Sequence, residues 1–167
     1  MGPGRFRPRQ SFPGELLKEE IILVDLDGTL CDCEWRRKEF LCDEKKNFDA
    51  FNKAAIRDMP NHWCLELIKA MGARLVFPLY VSGRSDDCRD ITMEWLNRWL
   101  PGFKNHGLLM RKAGDYRPDV EVKKEFLTQV ILPLGHTILF AVDDRASVVQ
   151  MWRDNNITCL QCAKGDF

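Results

Sequence analysis

The sequence predicts one three-layer α/β domain built on a parallel sheet of about five strands, with a small helical insertion after the first strand. Three observations carry that prediction. Short apolar runs alternate with segments of helical period, and each run is closed by a turn or a polar cluster. The 167 residues, 45% of them hydrophobic, make one domain's length with enough apolar surface to bury a core. Strands that alternate with helices are joined by crossovers, which leave neighbouring strands parallel.

The elements follow in order. Residues 1–14 hold Pro3, Pro8 and Pro13 with Arg5, Arg7 and Arg9 and have no hydrophobic period, so they read as a flexible basic tail before a domain spanning 15–167. Ile21 to Leu26 is the first apolar run, closed by Asp27-Gly28. Cys31 to Pro60 breaks the alternation. Its seven acidic and seven basic residues, with Phe48, Phe51 and Ala55 on one helical face, read as a small helical insertion over the carboxyl edge of the sheet. A helix over Asn61 to Met71 leads to a second strand, Arg74 to Val81, closed by Ser82-Gly83. Pro78 sits poorly inside a central strand and predicts a bulge or an early strand end.

Cys88, Ile91, Thr92, Trp95 and Trp99 fall three or four apart, marking an amphipathic crossover helix with Ser85 or Asp86 as its cap and Pro101-Gly102 as its stop. Its aromatic stripe keeps a helical period and is not interleaved with basic residues, so it reads as core rather than as a base-stacking platform. Gly107 to Met110 is the third strand. Val122, Phe126 and Val130, flanked by Leu127 and Ile131, make a helix stopped by Pro133; Thr137 to Val142 is the fourth strand. Val148, Val149 and Trp152 mark a helix ending near Asn155-Asn156, before a last strand, Ile157 to Gln161.

Composition excludes some functions. Lys and Arg (25) balance Asp and Glu (25), so the chain lacks the field of a protein that coats nucleic acid or lies on anionic lipid, while contact with a single terminal phosphate stays open. No apolar run approaches the roughly 18 residues of a membrane span, and Met1 to Gly14 has no apolar core of a secretory signal, which predicts no membrane association and a cytoplasmic location. Seven cysteines, an odd number in a chain with a full core, suit reduced thiols; Cys31-x-Cys33 and Cys159-x-x-Cys162 lack paired zinc-knuckle spacing.

In open parallel sheets ligands bind beyond the carboxyl ends of the strands. The first run is followed by Asp25-Leu26-Asp27-Gly28-Thr29, the second by Ser82-Gly83-Arg84, and the fourth by Asp143-Asp144-Arg145, while Lys123 opens an apolar helical stripe. Singly, each has a structural explanation: a turn, a helix cap, a solvated lysine. Together they set four carboxylates at one edge, a cost in free energy unless a cation is shared there. Hard oxygen ligands select Mg²⁺, which takes one or two carboxylates plus substrate phosphate, and this points to phosphoryl chemistry. An aspartate can attack phosphorus and split the reaction in two. Asp25, at the end of the buried strand, suits that role; Asp27, two residues on, suits the general acid and then base, with Gly28 allowing the chain to turn.

The pattern Asp25-x-Asp27-Gly28-Thr29, then Ser82, Lys123 and the pair Asp143-Asp144, resembles the haloacid dehalogenase-like (HAD) phosphohydrolase superfamily over residues 20 to 145. Val81-Ser82-Gly83-Arg84, Gly114-Asp115-Tyr116-Arg117, Val122-Lys123, Val142-Asp143-Asp144-Arg145, Met151-Trp152-Arg153 and Gly165-Asp166-Phe167 look like the phosphatase half of phage-type polynucleotide kinase/3′-phosphatases. The resemblance implies a Rossmann-like sheet, Asp25 as nucleophile and Asp27 as acid/base. It also implies Mg²⁺ held by Asp25, the Asp27 carbonyl and Asp143, with Asp144 through water, and phosphate gripped by Ser82, Gly83, Arg84 and Lys123. Arg111, Asp115 and Arg117 become candidate substrate contacts. No Gly-x-x-x-x-Gly-Lys-Ser/Thr motif is present, so 5′-kinase activity is not expected.

Lys123 follows Ser82 by only 41 positions, too few for a second covering domain, so only the insertion shields the site. A thin cover admits a bulky leaving group, which favours hydrolysis of a 3′-phosphate from a DNA or RNA end, with Arg36, Arg37 and Lys38 meeting the following phosphates. The alternative is a soluble (deoxy)nucleotidase in which Trp35 or Phe40 stacks on the base. A phosphate-binding module without turnover is a third reading, against which the paired aspartates argue. A sparsely covered site also leaves a homo-oligomer open.

Overall fold

The computed structural model describes residues 18–42 and 46–164. The basic tail read over 1–14 and the Gly165-Asp166-Phe167 terminus lie outside these residues. Strands β1 (Glu20–Val24), β4 (Phe77–Ser85), β5 (Leu108–Arg111), β6 (Thr137–Asp143) and β7 (Cys159–Gln161) form one parallel sheet in the order β5-β4-β1-β6-β7. Two short strands, β2 (Cys31–Asp32) and β3 (Met59–Pro60), pair antiparallel outside it. The helices are α1 (Glu34–Phe40), α2 (Phe48–Lys53), α3 (His62–Gly72), α4 (Arg89–Trp99), α5 (Asp119–Phe126) and α6 (Ala146–Asp154).

β1 is central, and Ile21, Ile22, Leu23 and Val24 are all buried, as a strand covered on both faces must be. Ile22 and Val24 pack with Cys64, Leu65 and Ile68 of α3 and Trp95 and Leu96 of α4. Ile21 and Leu23 face the other way, toward Leu127, Val148, Val149 and Trp152 beside α5 and in α6. Two helices on each face of one sheet give the three-layer α/β architecture, that of HAD phosphatases.

Several details differ from the sequence expectation, each for a local reason. β4 starts at Phe77 rather than Arg74, because Arg74 and Leu75 belong to the turn that closes α3, with Leu75 at φ +64. It runs on through Ser82, Gly83 and Arg84, with a register shift against β5 between Ser82 and Ser85. Pro78 pairs with Ile22 without a bulge or strand end. Its carbonyl accepts the His106 N–H (2.8 Å), so its ring nitrogen faces that same side, where β5 has not begun and no ladder bond is forfeited. After α5 the chain makes a π-helical turn, Leu127–Ile131, which rotates Val130 outward (37% exposed) while Leu127 and Ile131 stay buried. Phe48, read onto the insertion's inner face, stands at the start of α2 and is 57% exposed.

The insertion is not wholly helical. Cys31 pairs with Pro60 and Asp32 with Met59, so its two ends meet in a small ladder that holds α1, α2 and a 3₁₀ turn at Ala54–Arg57 over the carboxyl edge of the sheet. Trp95 ties it to the core by donating its indole N–H to the Asp58 carbonyl (2.8 Å).

Leu23→Ala removes a side chain 1% exposed at the centre of the sheet and should cost about 2–5 kcal/mol. The measurement is urea unfolding, with a lower midpoint at unchanged slope; a loss below about 1 kcal/mol would mean that the surrounding layers collapse into the void.

Candidate active site

Asp25 is the first residue past β1, and its N–H still donates to the Val142 carbonyl of β6 (3.1 Å), which holds it in line with the sheet. Lys123, on the second turn of α5, points its ammonium into the same place: 2.6 Å to Asp25 Oδ1, 2.8 Å to Asp143 Oδ2 and 3.7 Å to Asp119 Oδ2. Asp143 ends β6 and Asp144 follows it. Asp25, Asp143 and Asp144 are all buried, with carboxylate oxygens within 4.8 Å of one another. Gly28, at φ +88, makes this approach possible, because a β-carbon there would stand 2.3 Å from Asp144 Oδ2. From β7 the Gln161 amide donates to the Asp144 carbonyl (3.1 Å) and the Cys162 N–H to the Asp143 carbonyl (3.1 Å), pinning the loop from behind.

The charges are crowded. Burial, reinforced by Asp143 and Asp144, raises the Asp25 carboxyl well above the usual carboxylate range despite Lys123. Burial and Asp143 push Asp144 up to about 6. Burial opposes the charge on Lys123, but Asp143, Asp25 and Asp119 outweigh it and hold the ammonium. Three carboxylates against one ammonium make an oxygen-only donor set that suits a hard divalent cation such as Mg²⁺.

Asp27 faces a different environment. The turn around it is fixed by backbone bonds from Thr29 and Cys31 to the Leu26 carbonyl and from Gly28 to Cys31. Its carboxylate accepts Arg84 Nε at 3.0 and 3.1 Å, an Arg36 Nη2 and, at 3.4 Å, the Cys31 thiol. Arg36 is also forked onto Asp58, with Nε 2.9 Å from both oxygens, and lies over the Phe51 ring at 4.0 Å. Burial alone would raise the Asp27 carboxyl; the Arg84 and Arg36 guanidiniums outweigh it and hold it well below the usual range.

This corrects the reading of Arg36 as a contact for following phosphates, since the residue is fully buried and paired within the protein. Arg37 on the same helix is partly buried, and Lys38 is exposed beside Glu34 (3.4 Å). Arg84 is 2% exposed and meets Asp27 and Thr92 rather than an open cavity. Ser82 is buried, its hydroxyl accepting the Arg84 N–H (3.2 Å). Gly83 lets α5 come close, because a β-carbon there would lie 1.9 Å from Asp119 Oδ1. Arg111 braces that approach, donating to the Gly83 carbonyl (2.9 Å) and to Asp119 (3.1 Å), and it also reaches the Asp115 and Arg117 carbonyls. Asp115 and Arg117 pair with each other at the rim (2.6 Å), and Arg117 also meets Glu125 (2.6 Å). Trp35 gives its indole N–H to Asp58 (2.9 Å), and Arg57 covers its ring at 4.7 Å.

Sequence reasoning missed Asp58 and Asp119. Asp119, four residues before Lys123 on one helix, carried a readable signal as an i,i+4 partner. Asp58 carried none, because its partner Arg36 is 22 positions away. A second acidic group, Asp27, Cys31 and Asp58, already holds the two guanidiniums. All seven cysteines are free thiols, and among the described residues no helix is long and apolar enough to cross a membrane.

Because Asp144 has a raised pKa, its ionised form is the costly one in the folded protein: the cost is present above pH of about 6 and disappears as a proton binds below it. In chelator-treated protein, Asp144→Asn should therefore raise the thermal midpoint at pH 8, with the gain shrinking as the pH falls through about 6. A midpoint lowered at pH 8 would show that the carboxylates are not crowded in solution.

Residues 19–167 match the family model described as the polynucleotide kinase PNKP phosphatase domain. Among solved structures, the chain is similar to one titled "Structure of the Pnkp1/Rnl/Hen1 RNA repair complex" (28% identity, TM-score 0.74, covering 92% of this chain and 45% of that one). A second Pnkp1/Rnl/Hen1 complex is matched at 27% identity and TM-score 0.72, covering 96% of this chain and 54% of that one. The chain thus spans about half the length of these two relatives. The fold is shared with the class C acid phosphatase from Bacillus anthracis (17% identity, TM-score 0.65, 90% of this chain and 69% of that one). With its match over nearly the whole sequence, the chain belongs to the polynucleotide kinase PNKP phosphatase domain family, within the HAD phosphatases.

Proposed function

We propose that this chain is a cytoplasmic, Mg²⁺-dependent polynucleotide 3′-phosphatase acting through an aspartyl-phosphate on Asp25. The observation that carries the reading is the division of labour on one turn: Asp25 faces Lys123 and the acidic pair, whereas Asp27, two residues on, faces two guanidiniums. In the protein alone these surroundings favour a neutral Asp25 and an ionised Asp27; a cation bound beside Asp25, and Arg84 drawn from Asp27 to the phosphate, would reverse both, giving the states that a nucleophile and a general acid require. Asp25, the Asp27 carbonyl, Asp143 and Asp144 would hold Mg²⁺, which would supply positive charge against the phosphate oxygens.

The chain's own groups do the rest. Ser82, the Gly83 backbone, Arg84 and Lys123 receive the phosphate oxygens, Lys123 giving up its bond to Asp25 as it does so. An Asp25 carboxylate oxygen attacks phosphorus and the bond to the 3′-oxygen breaks; Asp27, having taken up a proton from solvent once Arg84 turns to the phosphate, passes that proton to the 3′-oxygen to leave a free hydroxyl. Asp27, now ionised, takes a proton from water as the water attacks the aspartyl-phosphate. The phosphorus–Asp25 bond breaks, inorganic phosphate leaves and Asp25 is restored. Arg111, Asp115 and Arg117 act by setting the loop that keeps Asp119 and Gly83 in place beneath the phosphate. Support for a nucleic-acid end comes from the family match, from the RNA repair complexes among the similar structures and from the thin cover over the site.

Asp25→Asn should lower Mg²⁺-dependent phosphate release by at least about 10³-fold with an unchanged circular dichroism spectrum. Activity surviving that change would exclude Asp25 as nucleophile. Rates on a 3′-phosphorylated oligonucleotide, its 5′-phosphorylated counterpart and free mononucleotides decide the substrate. The 3′ end should be fastest; preference for free 5′-mononucleotides would instead support the nucleotidase, and binding without release the non-catalytic module.

A further inference from the structure

Asp25, Ser82, Arg84, Lys123 and Asp143 are each 6% exposed or less, so they offer little surface to anything larger than the phosphate itself. Whatever carries the phosphate must lie outside them. An open cleft of about 210 Å³ starts at Gly28 and Asp144 and runs between the insertion, the start of α3 at Asn61 and the segment after β7. That volume is several times the roughly 30 Å³ of one water but below the roughly 300 Å³ at which pockets begin to enclose a whole drug-sized ligand. It suits one nucleoside unit, with the remainder of any longer substrate leaving over the rim.

The walls of the cleft carry cations from two separate parts of the chain, Arg37 on α1 and Lys164 after β7. Its acidic members are Asp144, Asp32, which accepts the Glu34 N–H that starts α1 (2.9 Å), and Glu34, which pairs with Lys38 at 3.4 Å and with Arg37 at 3.9 Å, so that Arg37 would exchange this long contact for an incoming phosphate. A free mononucleotide with its phosphate on Asp25 carries no second anion for these cations. A polynucleotide does, one unit along the strand. We infer that this cleft is the leaving-nucleoside subsite and that Arg37 and Lys164 hold the next phosphate of the strand, an inference that rests on the 3′-phosphatase reading.

The test compares kcat/KM on a 3′-phosphorylated mononucleoside, dinucleotide and hexanucleotide, with p-nitrophenyl phosphate as a reference that has no nucleoside. Lengthening from one unit to two should raise kcat/KM about tenfold, and from two to six by less than about threefold, because only one further phosphate is gripped. Arg37→Gln/Lys164→Gln should reduce the first gain to less than about threefold. The same double variant should flatten the slope of log kcat/KM against log salt concentration by about 0.7 for each strand phosphate that the enzyme no longer neutralises. Lys164→Gln alone, far from the packing of α1, should remove part of the gain, with circular dichroism reporting that both variants fold. A wild-type enzyme indifferent to length, or variants that keep the full gain, would overturn the subsite while leaving the 3′-phosphatase in place. Release from 5′-mononucleotides alone would overturn the reading beneath it and the subsite together.

Discussion

A buried ammonium is tolerated only where carboxylates meet it, and the Lys123 ammonium, 2.6 Å from Asp25 and 2.8 Å from Asp143, sets that condition for this fold. The three residues come from α5, the end of β1 and the end of β6. Sheet order puts β1 beside β6, and α5 must then lie on that face with Lys123 directed inward. Val122 and Leu127, buried on either side of it, anchor the helix in that rotation. Gly83 completes the arrangement from β4, because any side chain there would collide with Asp119 and push the first turn of α5 away. Packing and electrostatics are therefore one constraint: what lets the helix dock is also what delivers the ammonium to Asp25.

The insertion supplies the second half of the site. Arg36 reaches from α1 to Asp27 and Asp58, Arg84 reaches the same carboxylate from β4, and Trp95 bonds the Asp58 backbone from α4. Core and insertion are thus joined through a charged cluster whose centre is Asp27. A carboxylate gripped by two guanidiniums stays ionised, whereas the carboxyl two residues earlier is driven toward its neutral form by burial. The two sets of surroundings differ because the Leu26 and Gly28 turn aims Asp25 at the sheet and Asp27 at the insertion.

How much of this was legible in the sequence depends on the range of the interaction. Apolar runs buried on both faces announce a parallel sheet, and polar residues just past them must stand at its carboxyl edge, so Asp25, Ser82, Lys123 and Asp143 were readable from position. Arg36 and Asp58 were not. An arginine in a charge-rich segment looks solvated until the fold brings up its carboxylate from 22 residues away. Val130 misled for a different reason, since the π-helical turn inserts a residue into the helical period and turns the expected inward position outward. Pro78 misled because the penalty for proline depends on which side its missing donor faces, and sequence does not show where the neighbouring strand begins.

The balanced net charge reads differently once the charges are placed. Arg36, read from the sequence as a contact for following phosphates, and Arg84 and Lys123, read as phosphate ligands, are all buried and paired with carboxylates inside the protein. The interior cations are all paired with interior acids, so the groups that assemble the site cannot also form a broad basic face. On the proposed 3′-phosphatase reading, recognition of a strand would have to come from a few rim residues acting on the first units beyond the reacting phosphate, with little long-range attraction. If the substrate is a strand end, as proposed, weak attraction to the body of the strand leaves the protein free to reach the terminus.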